Sequence, residues 1–486
     1  MSNETSAGRN VNRESGPMTT AGAKPDTFEW LRYPDAEAYV AKRLDEFVAA
    51  LPMVRDLAEA LHAHTSSRLV DWLDHLELAD GDRPRGQLAD LGFEPEEVPS
   101  EPDTTVYYHP GAIFPRILLR DETGITPGST IAAAIQVEDV SHFLMTRQLA
   151  VPIEGTLVSP YRRAKAWQKG GRKFLVVERR GHAGFVPTGK PPDYPLRYLH
   201  TFEQWATRPR LFADERAGME QTLKLARSLV SDMGTDTAAW IAFAAERAHW
   251  QRRNRAGQIQ KARQDSLGLG WANHDHHTFR SSRAVFPLLI EILETFGFHV
   301  RERFYAGAEA GWGAQVMEQP VCRLAVFADV DLSPDEVEGD FAHNPLPQRE
   351  ELGTVGLWCA LHGESMLGAG LHHLAARFDF DVATESLAEW GIGMMRPFSN
   401  FSYLRQAFTR GEQWPVAPDR LERLTAAGPT AMPINESQRL KFAQKGAIGS
   451  HLENIQRGEG FKGFNQQTIS DIMHRTDPRA TAAEAQ

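Results

Sequence analysis

Two cysteines, Cys322 and Cys359, are all that 486 residues contain. A disulfide framework and a thiolate-rich zinc site are excluded by that count. No run approaches the roughly 18 consecutive apolar residues that a spanning helix needs, so no membrane segment is expected. The opening MSNETSAGRNVNRESGPMTTAGAKPDTFEW lacks the apolar core of a secretory signal. Nor is basic charge in excess. Lys and Arg number 53 against 64 Asp and Glu, a formal charge of −11. A surface of that sign disfavours a nucleic-acid partner. With so few cysteines, a reducing cytoplasm is the expected setting. What is present is ordinary for a globular chain: 42% hydrophobic and 24% charged residues, enough for two or three domains.

Residues 1–26 and 475–486 are polar and read as disordered tails. Between 36 and 77 apolar residues recur at three and four, which predicts helix with a break or kink at Pro52. His62 and His64, two apart there, would point to different faces and read as surface residues. From 105 to 185 short β-rich runs alternate with Gly and Pro, predicting a mostly antiparallel sheet. Helix returns over 212–265. Its basic stretch, Arg247, Arg252, Arg253, Arg255, Lys261 and Arg263, reads as a solvated face. Beyond 270 a strand–helix–strand–strand pattern occurs twice, as in two βαβββ-like units. Gly-rich GAEAGWG does not follow a strand and open a helix, so a phosphate loop is rejected. Tyr305, Trp312 and both cysteines read as core.

The chemistry-bearing residues lie in that last region. On a strand side chains alternate, so within Asp275-His276-His277-Thr278-Phe279-Arg280 one face carries His276, Thr278 and Arg280. His276 and Arg280 are then about 13 Å apart. His373-Leu374-Ala375-Ala376-Arg377 repeats the His-to-Arg spacing. In His451-Leu452-Glu453-Asn454-Ile455-Gln456-Arg457, Glu453 shares a face with Arg457. Two histidines and a carboxylate from three separate strands make the facial triad of non-haem Fe(II) oxygenases, which leaves open positions for a chelating substrate and O2.

These units resemble the vicinal oxygen chelate fold, and the motifs resemble the 2-oxoadipate dioxygenase/decarboxylase family of hydroxyglutarate synthases. DHHTFR, with its following helix ending LETFGF, resembles that family's opening motif. The resemblance implies His276 as an iron ligand and Arg280 as the holder of a substrate carboxylate. WCALHGESMLGAGLHHLAAR resembles the segment leading to the second ligand, implying His373 rather than His372. SYLRQAFT resembles a Leu-Leu-Arg-Gln run, implying substrate roles for Arg405 and Gln406. HLENIQRGEGFKGFNQQTISDI resembles the closing motif of that family and of 4-hydroxyphenylpyruvate dioxygenase, implying Glu453 as third ligand.

The expected fold class is α+β. A vicinal-oxygen-chelate-like double βαβββ barrel spans 266–474, and a helical and β-rich portion spans 27–265. The β region of that portion reads as a degenerate half of the same architecture. The implied activity is Fe(II)-dependent oxidation and decarboxylation of a 2-oxo acid with O2, such as 2-oxoadipate to 2-hydroxyglutarate. Alternatives are another metal enzyme of the fold (lyase, isomerase or extradiol-type dioxygenase) and a non-catalytic binding module. Arg377 and Arg457 are second-line candidates with an equal case for structural ion pairs.

Overall fold

The computed structural model describes residues 31–308, 310–349, 351–369, 371–425, 434–458 and 460–461. The tail readings, and the closing motif beyond Phe461, lie outside the described residues.

Two helices open the described chain, α1 (Pro34–Ala50) and α2 (Pro52–Thr65). Pro52 stands at the first position of α2, where its missing N–H costs nothing. The helix expected to run on to residue 77 ends at Ser66, which adopts the left-handed conformation at φ 57°. Residues Leu73–Ala79 then form a strand, β1. The reason lies in the pattern: Leu76 and Leu78 alternate with His75 and Glu77, a period of two rather than 3.6.

From β1 onward the chain writes one unit four times. The first is β1, α3 (Asp82–Asp90), β2 (Glu94–Glu96), β3 (Thr104–Tyr108) and β4 (Arg116–Arg120). The second is β5 (Thr130–Gln136), α4 (Val140–Thr146), β6 (Ile153–Glu154), β7 (Tyr161–Lys169) and β8 (Arg172–Arg179). Four helices follow: α5 (Tyr194–Ala206), α6 (Glu215–Met233), α7 (Thr235–Gln251) and α8 (Arg255–Asp265). The third unit is β9 (His274–Arg280), α9 (Phe286–Thr295), β10 (His299–Tyr305), β11 (Trp312–Gln319) and β12 (Leu324–Asp331). Helices α10 (Pro334–Glu338) and α11 (Thr354–His362) lead to the fourth. It comprises β13 (Leu371–Arg377), α12 (Phe380–Ala388), β14 (Ser399–Phe401), β15 (Leu404–Phe408), β16 (Glu412–Trp414), α13 (Pro418–Thr425), α14 (Glu436–Lys445) and β17 (Ala447–Arg457).

Units pair into two curled mixed sheets of an α+β fold. The first runs β2-β3-β4-β1-β5-β8-β7-β6 and the second β10-β11-β12-β9-β13-β17-β15-β14, with β16 also on β17. In each sheet the opening strands of two units meet antiparallel at the centre, and each lies parallel to the last strand of its own unit. The N-terminal β region is therefore a complete pair of units rather than half of one.

Helices cover one face of the second sheet. Phe279 of β9 and Val326, Ala328 and Val330 of β12 share a core with Ala239, Ala242 and Phe243 of α7 and with α6 and α9. His277 packs edge-on against Phe243 on that same face. The expected solvated face over 247–263 is only partly so. Arg247 is buried, with Nη2 3.8 Å from Glu138 Oε1, because α7 is covered along that edge. Trp312 and Cys359 join one buried cluster and Cys322 another, as core residues. No helix among the described residues is long and apolar enough to cross a membrane.

Candidate metal centre

Alternation on β9 sends His276, Thr278 and Arg280 to the face opposite the core shared with α6, α7 and α9. β13 beside it contributes His373. β17, parallel to β13 with His373 opposite His451 and Ala375 opposite Glu453, contributes Glu453. The three side chains converge. His276 Nε2 lies 3.2 Å from His373 Nε2 and 3.2 Å from Glu453 Oε2, and His373 Nε2 lies 2.8 Å from Glu453 Oε2. All three residues are buried. Among the described residues this is the one group of three or more His, Cys, Asp or Glu placed to hold a metal ion.

The spacing suits an ion. Donors about 2.1 Å from a metal and at right angles to one another are separated by about 3.0 Å; tetrahedral donors would be about 3.4 Å apart. The observed separations, 2.8, 3.2 and 3.2 Å, all fall short of the second value. Hydrogen bonding alone satisfies the cluster poorly. If both imidazoles donate from Nε2 to Glu453, two N–H groups face each other across 3.2 Å.

Burial opposes ionisation of Glu453, but His276 and His373 prevail and hold its carboxyl down at about 2. Burial likewise opposes charge on His276, yet Glu453 and Asp275 raise it to about 9. Burial lowers His373. The cluster thus keeps its carboxylate ionised.

Surrounding residues fix the three. The second carboxylate oxygen of Glu453, Oε1, accepts a hydrogen bond from Gln406 Nε2 at 3.3 Å. Asp275 Oδ1 stands 3.9 Å from His276 Nδ1, while Asp275 Oδ2 pairs with Arg457 Nη2 at 3.2 Å. Arg457 thereby falls to the ion-pair reading. Aromatic walls flank the cluster symmetrically, with Phe327 of β12 5.0 Å from His276 and Phe408 of β15 5.0 Å from His373.

Arg280 is buried on the same face, its guanidinium 4.3 Å above the Trp358 ring of α11. Directly across the parallel register, Asp329 Oδ2 lies 3.8 Å from Arg280 Nε. Burial pushes the Asp329 carboxyl up to about 7, against the pull of Arg280 and His276.

Arg405 is not brought to this place. It extends from the other face of β15 and binds Asp381 at 3.0 Å, with its guanidinium against Phe380. Gln406 is buried at the cluster, but as the partner of Glu453. The sequence reading missed Thr278, Phe327, Phe408 and Asp329. Thr278 carried a signal, since it sits midway between His276 and Arg280 on one strand face. Phe327 and Asp329 come from a strand read only as apolar, and Phe408 from SYLRQAFT, where the reading rested on Arg405 and Gln406 alone.

Among the described residues the first sheet holds no such cluster. On β5 and β8, which correspond to β13 and β17, the face away from the helices carries Ala132, Ala134, Leu175 and Val177. On β1, His75 Nδ1 binds Asp74 at 2.7 Å, and Phe185 packs against the His75 ring at 5.0 Å.

No family model matches the chain, and no curated protein does. Solved structures give distant likenesses. A triple variant of 4-hydroxymandelate synthase from Streptomyces coelicolor is 14% identical, with 86% of this chain and 99% of that one covered, at a TM-score of 0.27. A methylmalonyl-CoA epimerase from Mycobacterium tuberculosis is 12% identical over 38% of this chain and 87% of that one, at 0.21. A xylose isomerase-like TIM barrel/4-hydroxyphenylpyruvate dioxygenase fusion protein is 12% identical over 82% of this chain and 51% of that one, also at 0.21. At these scores the likenesses do not bear on the chemistry, which rests on the site itself.

Proposed function

We propose that the protein is an Fe(II)-dependent dioxygenase and decarboxylase of 2-oxo acids, with His276, His373 and Glu453 as the metal ligands. The observation that carries this reading is the meeting of three buried donors from three neighbouring strands, with a buried arginine on the same sheet face. Two neutral imidazoles and one carboxylate suit Fe(II) and leave positions for other ligands. Iron held there supplies the chelation of a 2-oxo carboxylate and the reduction of O2.

The chain's own residues do the rest. Arg280 offers a planar two-pronged donor for a second carboxylate, so a diacid is favoured. Trp358 supports its guanidinium from below. Phe327 and Phe408 keep water from the reacting end. Gln406 holds the free oxygen of Glu453 and so fixes which oxygen faces the ion. For 2-oxoadipate the balance is one O2 consumed, one CO2 released, and 2-hydroxyglutarate formed.

The test is anaerobic loading with Fe(II), followed by oxygen-electrode assays against a panel of 2-oxo acids. O2 uptake with a 2-oxo diacid, lost in His276→Ala and Glu453→Ala, is the expected result. Arg280→Ala should raise the KM for diacids by at least about tenfold, the value of one lost charge-assisted pair. Stoichiometric iron without O2 uptake on any 2-oxo acid would overturn the oxygenase and leave another metal enzyme. A folded protein that takes up no metal would leave a binding module.

A further inference from the structure

Thr278 is buried to 2% exposure, and its Oγ1 lies 3.0 Å from His373 Nε2. That nitrogen is the atom that meets Glu453 and His276. The hydroxyl therefore stands at the same point as the three donors, as a fourth heteroatom. It is not a ligand of the usual kind, because a neutral threonine hydroxyl binds Fe(II) weakly compared with imidazole or carboxylate.

Once the His373 lone pair is given to an ion, Nε2 has neither a proton to donate nor a lone pair to offer. Thr278 then loses its hydrogen-bond partner. No other hydrogen bond of its side chain occurs among the described residues. Its cross-strand neighbour in register is Phe327, which offers only a ring. A buried hydroxyl without a partner is costly, and valine would fill the same volume without that cost. The side chain makes sense where an oxygen acceptor arrives together with the ion.

We propose that the Thr278 hydroxyl donates a hydrogen bond to an oxygen of the chelating ligand on the metal, the carboxylate of a 2-oxo acid, and so is a substrate-binding residue. This rests on the metal reading above. It adds a recognition contact at the chelating end of the substrate, opposite the end assigned to Arg280.

The test uses Co(II) as a spectroscopic probe and oxalate as an oxygen chelator, with wild type, Thr278→Val, Thr278→Ala and Thr278→Ser. Circular dichroism of the metal-free proteins establishes that each is folded. Wild type and all variants should take up one Co(II) per chain, with affinities within about threefold of each other. Oxalate affinity, read from the visible spectrum of the Co(II) form, should fall about tenfold or more in Thr278→Val and Thr278→Ala, the worth of one hydrogen bond to a charged acceptor. Thr278→Ser should recover it to within about threefold. Unchanged oxalate affinity in Thr278→Val would overturn the proposal while leaving the metal site standing. So would loss of Co(II) from Thr278→Val, which would make the hydroxyl a support for His373 alone. Wild type that binds no Co(II) would overturn the metal reading and this proposal with it.

Discussion

Glu453 divides its carboxylate between two tasks. Oε2 faces the histidines while Oε1 is held by Gln406. Gln406→Leu should therefore keep one metal per chain but weaken its binding by about 10-fold to 100-fold, as loss of an outer partner does. A competition titration with a chromophoric chelator measures this. Glu364, just beyond α11, is a different kind of buried acid. Burial pushes it up from 4.5 to about 7, although Ser282 and Ser281 hydrogen-bond to it and resist. Its folded pKa exceeds its unfolded one, so the stability it lends is full below about pH 4.5 and is lost as pH rises through 7. Glu364→Gln should lose less stability than wild type between pH 5 and pH 8, by up to roughly 3 kcal/mol. Denaturant melts at the two pH values test it.

At the scale of elements, β17 is closely packed at Gly449. A Cβ added to Gly449 would meet the Trp414 ring at 2.0 Å. Trp414 has little room to yield, since it stacks on Trp250 and meets His362 edge-on. Gly449→Ala should cost at least about 1–3 kcal/mol, seen as a lower Tm by calorimetry. The elements also show what a sequence makes legible. β9, β13 and β17 could be read because a period of two, marked by His, Thr, Arg and Glu, places chemistry on one face. That same period separates Arg405 from Gln406: adjacent residues of one strand cannot both look into the site, and the structure keeps only Gln406 there. β1 was hidden because it continues directly from an amphipathic helical run. Residues Trp312–Gln319 were hidden by the Gly-rich approach to them. Phe327 and Phe408 could not be found from the sequence because nothing local distinguishes a wall residue from core.

Across the whole molecule the two sheets are tied by charge. Arg323 of the second half reaches Asp74 of the first at 3.1 Å, where Arg179 already binds the same carboxylate. Arg323→Ala still leaves Asp74 two partners, Arg179 and His75. The expected loss is about 1–3 kcal/mol, below the 3–5 kcal/mol of a fully orphaned buried charge. Equilibrium unfolding in urea measures it. The duplicated plan also explains why only half of the chain carries the candidate site. β5 and β8 supply alanine, leucine and valine where β13 and β17 supply histidine and glutamate.

The three converging donors come from points far apart along the chain. His276 and His373 are 97 residues apart, and Glu453 follows only after a further fold unit has been completed. An ion seated among them would close two long loops at once, as a cross-link does. The complete three-donor set would exist only once all three strands had come together, so full coordination of an ion would be coupled to folding. Release of the ion would conversely remove the clasp between the third and fourth units. Metal supply would then govern how long each molecule survives as well as whether it can react, since the unloaded form opens more readily to proteolysis.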